Sequence, residues 1–328
     1  MLNYIIRRLL IIIPELFLIS ILAFIVIQLP PGDYLTTYIM RLQASGAVIN
    51  ESIVENLKRQ YGLDRPMYVQ YFIWIKNIIT QGNFGVSFSY DLPVIDLIKE
   101  RIPMTLTISL LSLAVTWIIA FPIGIYSATH QYSPFDHLFT FLSFVGVSMP
   151  AFLLALIAVW FLYKFTGHAV IGVFSLEYLD QPWSFAKLMD MIKNIWLPVI
   201  VVGIAGIASM VRVIRAMMLD EIRKLYVTAA RAKGLPEYKV LVKYPLRVAV
   251  NPTISSIGWL FPALVSGESV VGIVLNLQTV GPLLLSASLA QDMYLAGSIV
   301  LILGTLTVIG MFISDLLLAW LDPRVRYG

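Results

Sequence analysis

Long apolar stretches dominate the chain and are separated by short polar connections. A bilayer core about 30 Å thick requires roughly 20 apolar residues in a helix. A transmembrane β-barrel would instead show runs of about 10 residues with alternating polarity. The pattern therefore predicts an all-α membrane protein with six transmembrane helices. Their approximate bounds are 9–29, 104–128, 138–163, 195–217, 252–275 and 294–320.

The first apolar stretch resembles a secretory signal peptide in one respect, because Arg7 and Arg8 precede it. Its apolar run, however, exceeds the roughly 7–15 residues of such a peptide. The following residues, 28–32, contain no pair of small residues suited to cleavage. We therefore expect residues 1–29 to remain as the N-terminus and first membrane helix.

The composition excludes several classes of protein. The chain has 328 residues, of which 59% are hydrophobic and 13% are charged, whereas soluble domains are about 25% charged. This excludes a disordered chain and an ordinary cytosolic enzyme. The absence of cysteine excludes a disulfide framework or a thiolate-ligated metal, and three histidines argue against a histidine-rich metal site. The sequence has no Gly-Lys dipeptide and thus no P-loop for ATP hydrolysis.

Basic residues are concentrated between the fourth and fifth predicted helices. Residues 212–247 carry nine basic and three acidic side chains, a net charge of +6 against +4 for the whole chain. Short basic loops stay in the cytoplasm, which places both chain termini there as well. The long segment 30–103 has seven basic and seven acidic residues and is expected outside, with a short helix over 52–61.

The basic loop has the pattern of two short helices. We expect the first helix over 219–233, with Gly234 in a left-handed conformation at its end and Pro236 preventing its continuation. The second is expected over 236–242. The loop could serve only to fix topology and to contact anionic lipids. Its clustered small residues and proline-bounded second helix favour docking of a partner protein instead; the small residues are Thr228, Ala229, Ala230 and Ala232.

The segment Thr-Ala-Ala-Arg-Ala-Lys-Gly at 228–234 resembles the EAA loop in permease subunits of bacterial and archaeal ATP-binding-cassette (ABC) importers. Nearly the whole chain is similar to the dipeptide/oligopeptide permease family. The other segments that carry this resemblance are MLNYIIRR at 1–8, PGD at 31–33, YGLDRPMYVQY at 61–71, GNFGVS at 82–87, RIPMTL at 101–106 and DPRVR at 322–326.

Some positions depart from the family pattern. Thr228 replaces the glutamate of the EAA loop, and Tyr244 and Val248 replace its usual histidine and asparagine. Near the end of the fifth helix Gly272 occupies the usual glutamate position, and an acid stands at Glu268 instead. The segment 277–294 resembles members associated with sugar oligomers more than standard peptide permeases.

The resemblance implies a domain organisation and a set of partners. Residues 1–29 would form the first helix, 30–103 an extracytoplasmic segment, and 104–328 a permease core with five helices. The core would include a coupling loop at 218–250 that docks on an ATPase. The partners would be a homologous permease subunit, two ATPase subunits that bind ATP and magnesium, and an extracytoplasmic binding protein. The expected coupling residues are Thr228, Ala229, Ala230, Arg231, Lys233, Gly234, Leu235 and Pro236.

Ionisable residues inside predicted membrane helices are candidates for the transport path. Glu268 lies deepest and is the favoured candidate, ahead of Glu15 and Asp315. Two other functions remain open on the sequence alone. An ion-coupled secondary transporter would require a buried acidic relay, for which one deep acid is weak support. A non-transporting membrane scaffold would explain the long outer segment but not the two-helix loop.

Overall fold

A computed structural model describes residues 2–28, 55, 65–87, 89–167, 171–255 and 269–321. These residues are mostly helical, and the only β-type pairing among them is an isolated bridge between Val86 and Pro93. The predicted all-α class is therefore confirmed for this part of the chain. The helices bounded within it are α1 (Leu2–Gln28), α2 (Met67–Gln81), α3 (Val94–Thr129), α4 (Pro134–Ser148), α5 (Ala151–Thr166), α6 (Phe185–Asn194), α7 (Trp196–Ile222), α8 (Leu225–Ala232), α9 (Glu237–Lys243), α10 (Pro245–Ser255), α11 (Val280–Leu289) and α12 (Met293–Leu321).

Four of the described helices are long and apolar enough to cross a membrane. They are α1, α3, α7 and α12, and they correspond to the first, second, fourth and sixth predicted helices. The predicted short helix at 52–61 lies outside the described residues except for Glu55, and so do residues 256–268 of the predicted fifth helix. The structure describes the flanks of that fifth helix, 252–255 and 269–275.

The third predicted helix, 138–163, is not one straight rod. It consists of α4 and α5, which meet at an angle of 107°. Met149 between them is extended (φ −89°, ψ 129°), as expected for a residue that precedes proline. Pro150 has no N–H to continue the hydrogen-bond ladder. The pair counts as a fifth span only if both helices belong to one broken crossing.

The chain divides into two compact units. The larger comprises Met1–Ile5, Met104–Gly281 and Ile309–Gly328. Its core surrounds α7, where Val201 and Ile214 belong to two separate apolar clusters. Gly203 and Gly206 bring α7 close to α3, since a Cβ added at either would lie 3.3 Å from Thr116 Oγ1. Small residues take this packing role between membrane helices.

The smaller unit comprises Ile6–Pro103 and Pro282–Val308. Here α1 packs on α2, where the Ser20 hydroxyl lies 2.7 Å from that of Tyr71 and the Phe24 ring contacts Tyr71 and Trp74. Buried Asp292 precedes α12 and accepts hydrogen bonds from Ser87 Oγ at 2.5 Å and Ser89 N at 2.9 Å. A carboxylate at the start of α12 thus also fixes the turn after α2.

Candidate functional site

The predicted coupling loop, residues 218–250, is built from the end of α7, the two short helices α8 and α9, and the first half of α10; it is called the coupling loop below. The sequence predicted one helix over 219–233, and this prediction is wrong at its start. The membrane helix α7 continues to Ile222, and α8 begins separately at Leu225. Lys224 between them is extended (φ −74°, ψ 147°). The second predicted helix, 236–242, is confirmed within one residue as α9.

A buried carboxylate fixes the joint between α7 and α8. Glu221, in the last turn of α7, accepts hydrogen bonds from Lys224 Nζ and from the hydroxyl of Tyr226. Burial and then the Glu221 contact raise the pKa of Tyr226 to about 12, so its hydroxyl remains a donor to Glu221 well above neutral pH. This role of Glu221 was not predicted from the sequence. The spacing of Glu221 and Lys224, three residues apart, was the available signal for the pair.

The turn between α8 and α9 depends on the conformation predicted for Gly234. Its φ is +75°, in the left-handed region that glycine adopts without strain. A Cβ added there would meet nothing within 4 Å. A substitution at this position would therefore destabilise the turn because of the backbone conformation, and not because of a steric overlap.

The two short helices enclose a small apolar core. Val227, Ala230 and Val240 are buried in it, and Leu235 and Tyr244 pack against them. The predicted cluster of small residues is therefore divided between two faces. Ala230 points inward, whereas Thr228, Ala229 and Ala232 are exposed. A partner protein could reach only the exposed three.

The remaining predicted coupling residues surround the turn. Arg231 Nη2 donates to Glu237 Oε1 at 2.6 Å, which ties the end of α8 to the start of α9. This hydrogen bond lowers the pKa of the Glu237 carboxyl and raises that of Arg231. Lys233 and Pro236 are exposed, and Leu235 is half-buried. Arg231 was expected as a coupling residue, and this ion pair was not predicted from the sequence.

A second buried carboxylate holds the connection between α3 and α4 against α7. Asp136 is 1% exposed and accepts from Arg215 Nε at 2.8 Å and Nη2 at 2.9 Å. It also accepts from the backbone N of Tyr132 at 2.9 Å. Arg223 Nη2 donates to Gln131 Oε1 at 3.3 Å in the same connection. The end of α7 therefore contacts both the coupling loop and the α3–α4 connection.

The predicted transport-path residues are less defined. Glu268 lies outside the described residues. Glu15 is exposed on α1. Asp315 lies on α12 and interacts with another residue. Within the described residues, no three histidine, cysteine or acidic side chains are grouped to hold a metal ion.

Comparison with known proteins agrees with this architecture. A family model described as "Binding-protein-dependent transport system inner membrane component" matches residues 120–327, and the N-terminal model of such membrane components matches residues 1–110. The oligopeptide transport system permease protein AppB of Bacillus subtilis (strain 168) is 35% identical over 99% of both chains. OppB of Haemophilus influenzae is 30% identical over 100% of both, and the glutathione permease GsiC of Escherichia coli is 33% identical over 100% of both.

A solved structure with the same fold supports the match. An inward-facing structure of the MetNI methionine ABC transporter has a TM-score of 0.54 at 14% identity and covers 70% of this chain and 97% of its own. The helical fold and these matches define a membrane-embedded permease of the ABC class. The chain belongs to the family of binding-protein-dependent transport system inner membrane components and is the permease subunit of an ABC importer. Such importers contain further permease, ATPase and binding-protein components.

Proposed function

We propose that this chain forms half of a heterodimeric pathway that carries oligopeptides across the membrane. A homologous permease subunit would supply the other half, and an extracytoplasmic binding protein would deliver the substrate. The relatives support the peptide assignment. Two of them are named as oligopeptide permeases, and each matches this chain over nearly its full length. The resemblance of residues 277–294 to sugar-associated members favours oligosaccharides as the second candidate.

In this proposal the chain has six membrane crossings, with the fifth over 252–275. The termini and the coupling loop lie in the cytoplasm, and residues 30–103 lie outside. The support is the charge distribution, because the loop region is strongly basic and the long segment is neutral. Glu268 would lie in the fifth crossing and line the pathway.

The exposed face of α8 is the observation that carries the proposed coupling role. Thr228, Ala229 and Ala232 present small side chains to the outside, and small side chains permit close approach of another surface. Two ATPase subunits would bind below the permease pair, one on each coupling loop. ATP and magnesium would bind to those subunits, and this chain would hydrolyse nothing itself. Closure of the ATPase pair would then move α8, and with it α7, through the contacts of Glu221.

An acidic substitution on this face tests the docking role. Ala229→Glu should abolish co-purification of the ATPase subunits and ATP-driven uptake, because it adds bulk and charge at the surface of close approach. The matched control is Ala290→Glu, which makes the same change at an exposed alanine beyond α11. Both variants should insert into the membrane normally. Wild-type ATPase retention and uptake by Ala229→Glu would overturn the proposal.

The substrate class is tested by uptake in cells that lack this chain and in cells that carry it. Labelled tri- to hexapeptides should accumulate only in the latter, and unlabelled peptides should compete whereas oligosaccharides should not. Competition by oligosaccharides alone would select the second candidate. Uptake that persists without ATP and collapses with an ionophore would exclude both.

A further inference from the structure

The short helix α6 carries a stripe of four apolar side chains on its outside. Phe185, Leu188, Met189 and Ile192 follow the spacing of one helix face. All four are exposed, with fractions of 78%, 39%, 40% and 53%. A helix on the surface of a soluble protein turns such a stripe toward the core. The apolar stripe on α6 faces away from the core.

The polar face of α6 is turned toward the protein. Lys187 is 7% exposed, and its Nζ donates to the backbone carbonyls of Leu179 at 3.2 Å and Gln181 at 2.6 Å. The same ammonium lies 4.9 Å from the centre of the Phe174 ring. These contacts fix the rotation of α6 about its own axis.

Asp190, one turn along the same face, strengthens this arrangement. It accepts from Ser175 N at 2.7 Å and from Ser175 Oγ at 2.6 Å. Asn194, a further turn along, lies within hydrogen-bonding distance of Asp190. Since three polar residues hold one face to segment 175–181, the exposure of the opposite face is a consequence of packing and not of a loose helix.

The apolar stripe continues into a membrane helix. Only Ile195 separates α6 from α7, and Pro198 cannot donate to the carbonyl of Asn194, which explains the break. Beyond it Trp196 and Ile200 are exposed at 43% and 38%, one helical turn apart on α7. The stripe is therefore continuous with the surface of a helix that crosses the bilayer.

We propose that α6 is an interfacial helix that inserts its apolar face into the lipid leaflet at the end of α7 opposite the coupling loop. Amphipathic helices lie in this interface with the apolar face a few ångströms below the headgroups. Tryptophans are enriched there, and Trp183 and Trp196 flank the helix, with Trp183 67% exposed. Exposed Lys193 at the edge of the stripe can extend its ammonium to the headgroups.

Single cysteines test this placement directly, since the chain has no natural cysteine. Leu188→Cys and Ile192→Cys report on the stripe, and Glu177→Cys, in the exposed turn before α6, is the aqueous control. Each is spin-labelled in the importer complex, with any cysteines of the other subunits replaced, in liposomes of phosphatidylethanolamine and phosphatidylglycerol. Collisions with oxygen, which concentrates in lipid, are compared with collisions with a water-soluble nickel chelate.

We expect the ratio of oxygen to nickel collisions to be several-fold higher at 188 and 192 than at 177. Equal ratios at all three positions would show that the stripe faces water and would overturn the proposal. Immobile labels at 188 and 192 that neither reagent reaches would show a protein partner, such as the second permease subunit, and would also overturn it. Phe185→Cys and Met189→Cys provide the same measurement on the same face if a variant does not assemble.

Discussion

The two ends of α7 carry short helices with opposite arrangements of side chains. In the coupling loop, Val227 and Val240 are buried, and the small side chains of Thr228, Ala229 and Ala232 are exposed on α8. In α6, Lys187 is buried and Leu188 is exposed. Apolar surface is stable in lipid or against protein, and polar surface is stable in water. Buried valines therefore suit a loop in water, and an exposed leucine suits a helix in contact with lipid. The comparison supports both proposals, that one end meets a partner protein and that the other meets the bilayer.

Both ends use buried charged groups to fix the direction of a helix. Asp136 and Glu221 act at the coupling-loop end, and Lys187 acts at the other. A buried charge is tolerated only when its hydrogen bonds are satisfied. Such contacts therefore specify orientation more strictly than apolar packing does. Variants at these positions rank the contribution of each contact.

The largest effect is expected for Asp136→Ala. It leaves Arg215 without its bidentate partner at the end of α7, and the loss of one member of a buried pair costs about 3–5 kcal/mol. Because the Arg215 side chain is 25% exposed, we expect a value near the low end. Thermal unfolding of the purified complex measures it. Glu177→Ala, which removes an exposed acid, is the control, and an equal unfolding temperature for both variants would contradict the role of the pair.

A smaller effect is expected for Lys187→Met, which keeps the apolar stem of the side chain but removes its two hydrogen bonds. Carbonyls that lose a donor cost about 1–3 kcal/mol, and the exposure of Leu179 and Gln181 lets water recover part of this. Proteolysis within 175–184 should become faster, since α6 is no longer tied to that segment. Lys193→Met changes the same residue type at an exposed site on the same helix. If both variants were cleaved at the wild-type rate, Lys187 would not orient α6.

The smallest effect is expected for Glu237→Gln in the turn of the coupling loop. Its ion pair with Arg231 is largely exposed, and exposed pairs contribute about 0.2–1 kcal/mol. Since Arg231 lowers the pKa of Glu237 below its usual 4.5, the carboxylate contributes its stability above that value and loses it as the pH falls through the lowered pKa. The stability difference between wild type and variant should be constant from pH 6 to 8 and shrink in more acidic solution. A difference that grows on acidification would refute the pair.

Several features of this protein followed from local sequence properties. Four of the membrane helices were recognisable because about 20 consecutive apolar residues stabilise a helix in lipid wherever they occur in a chain. The turn at Gly234 was recognisable because a left-handed backbone favours glycine. The two-helix form of the coupling loop followed from Gly234 and Pro236 for the same local reason. None of these depends on distant residues.

Other features required the tertiary structure, because they depend on groups that are distant in the chain. Asp136 and Arg215 are 79 positions apart, and no local pattern links them. The break between α7 and α8, the inward position of Ala230 and the burial of Lys187 are set by neighbours that only folding brings together. The sequence of α6 determines that it has one polar and one apolar face. Only the packing of Lys187 and Asp190 decides which face is turned outward, because those contacts satisfy polar groups that the bilayer could not.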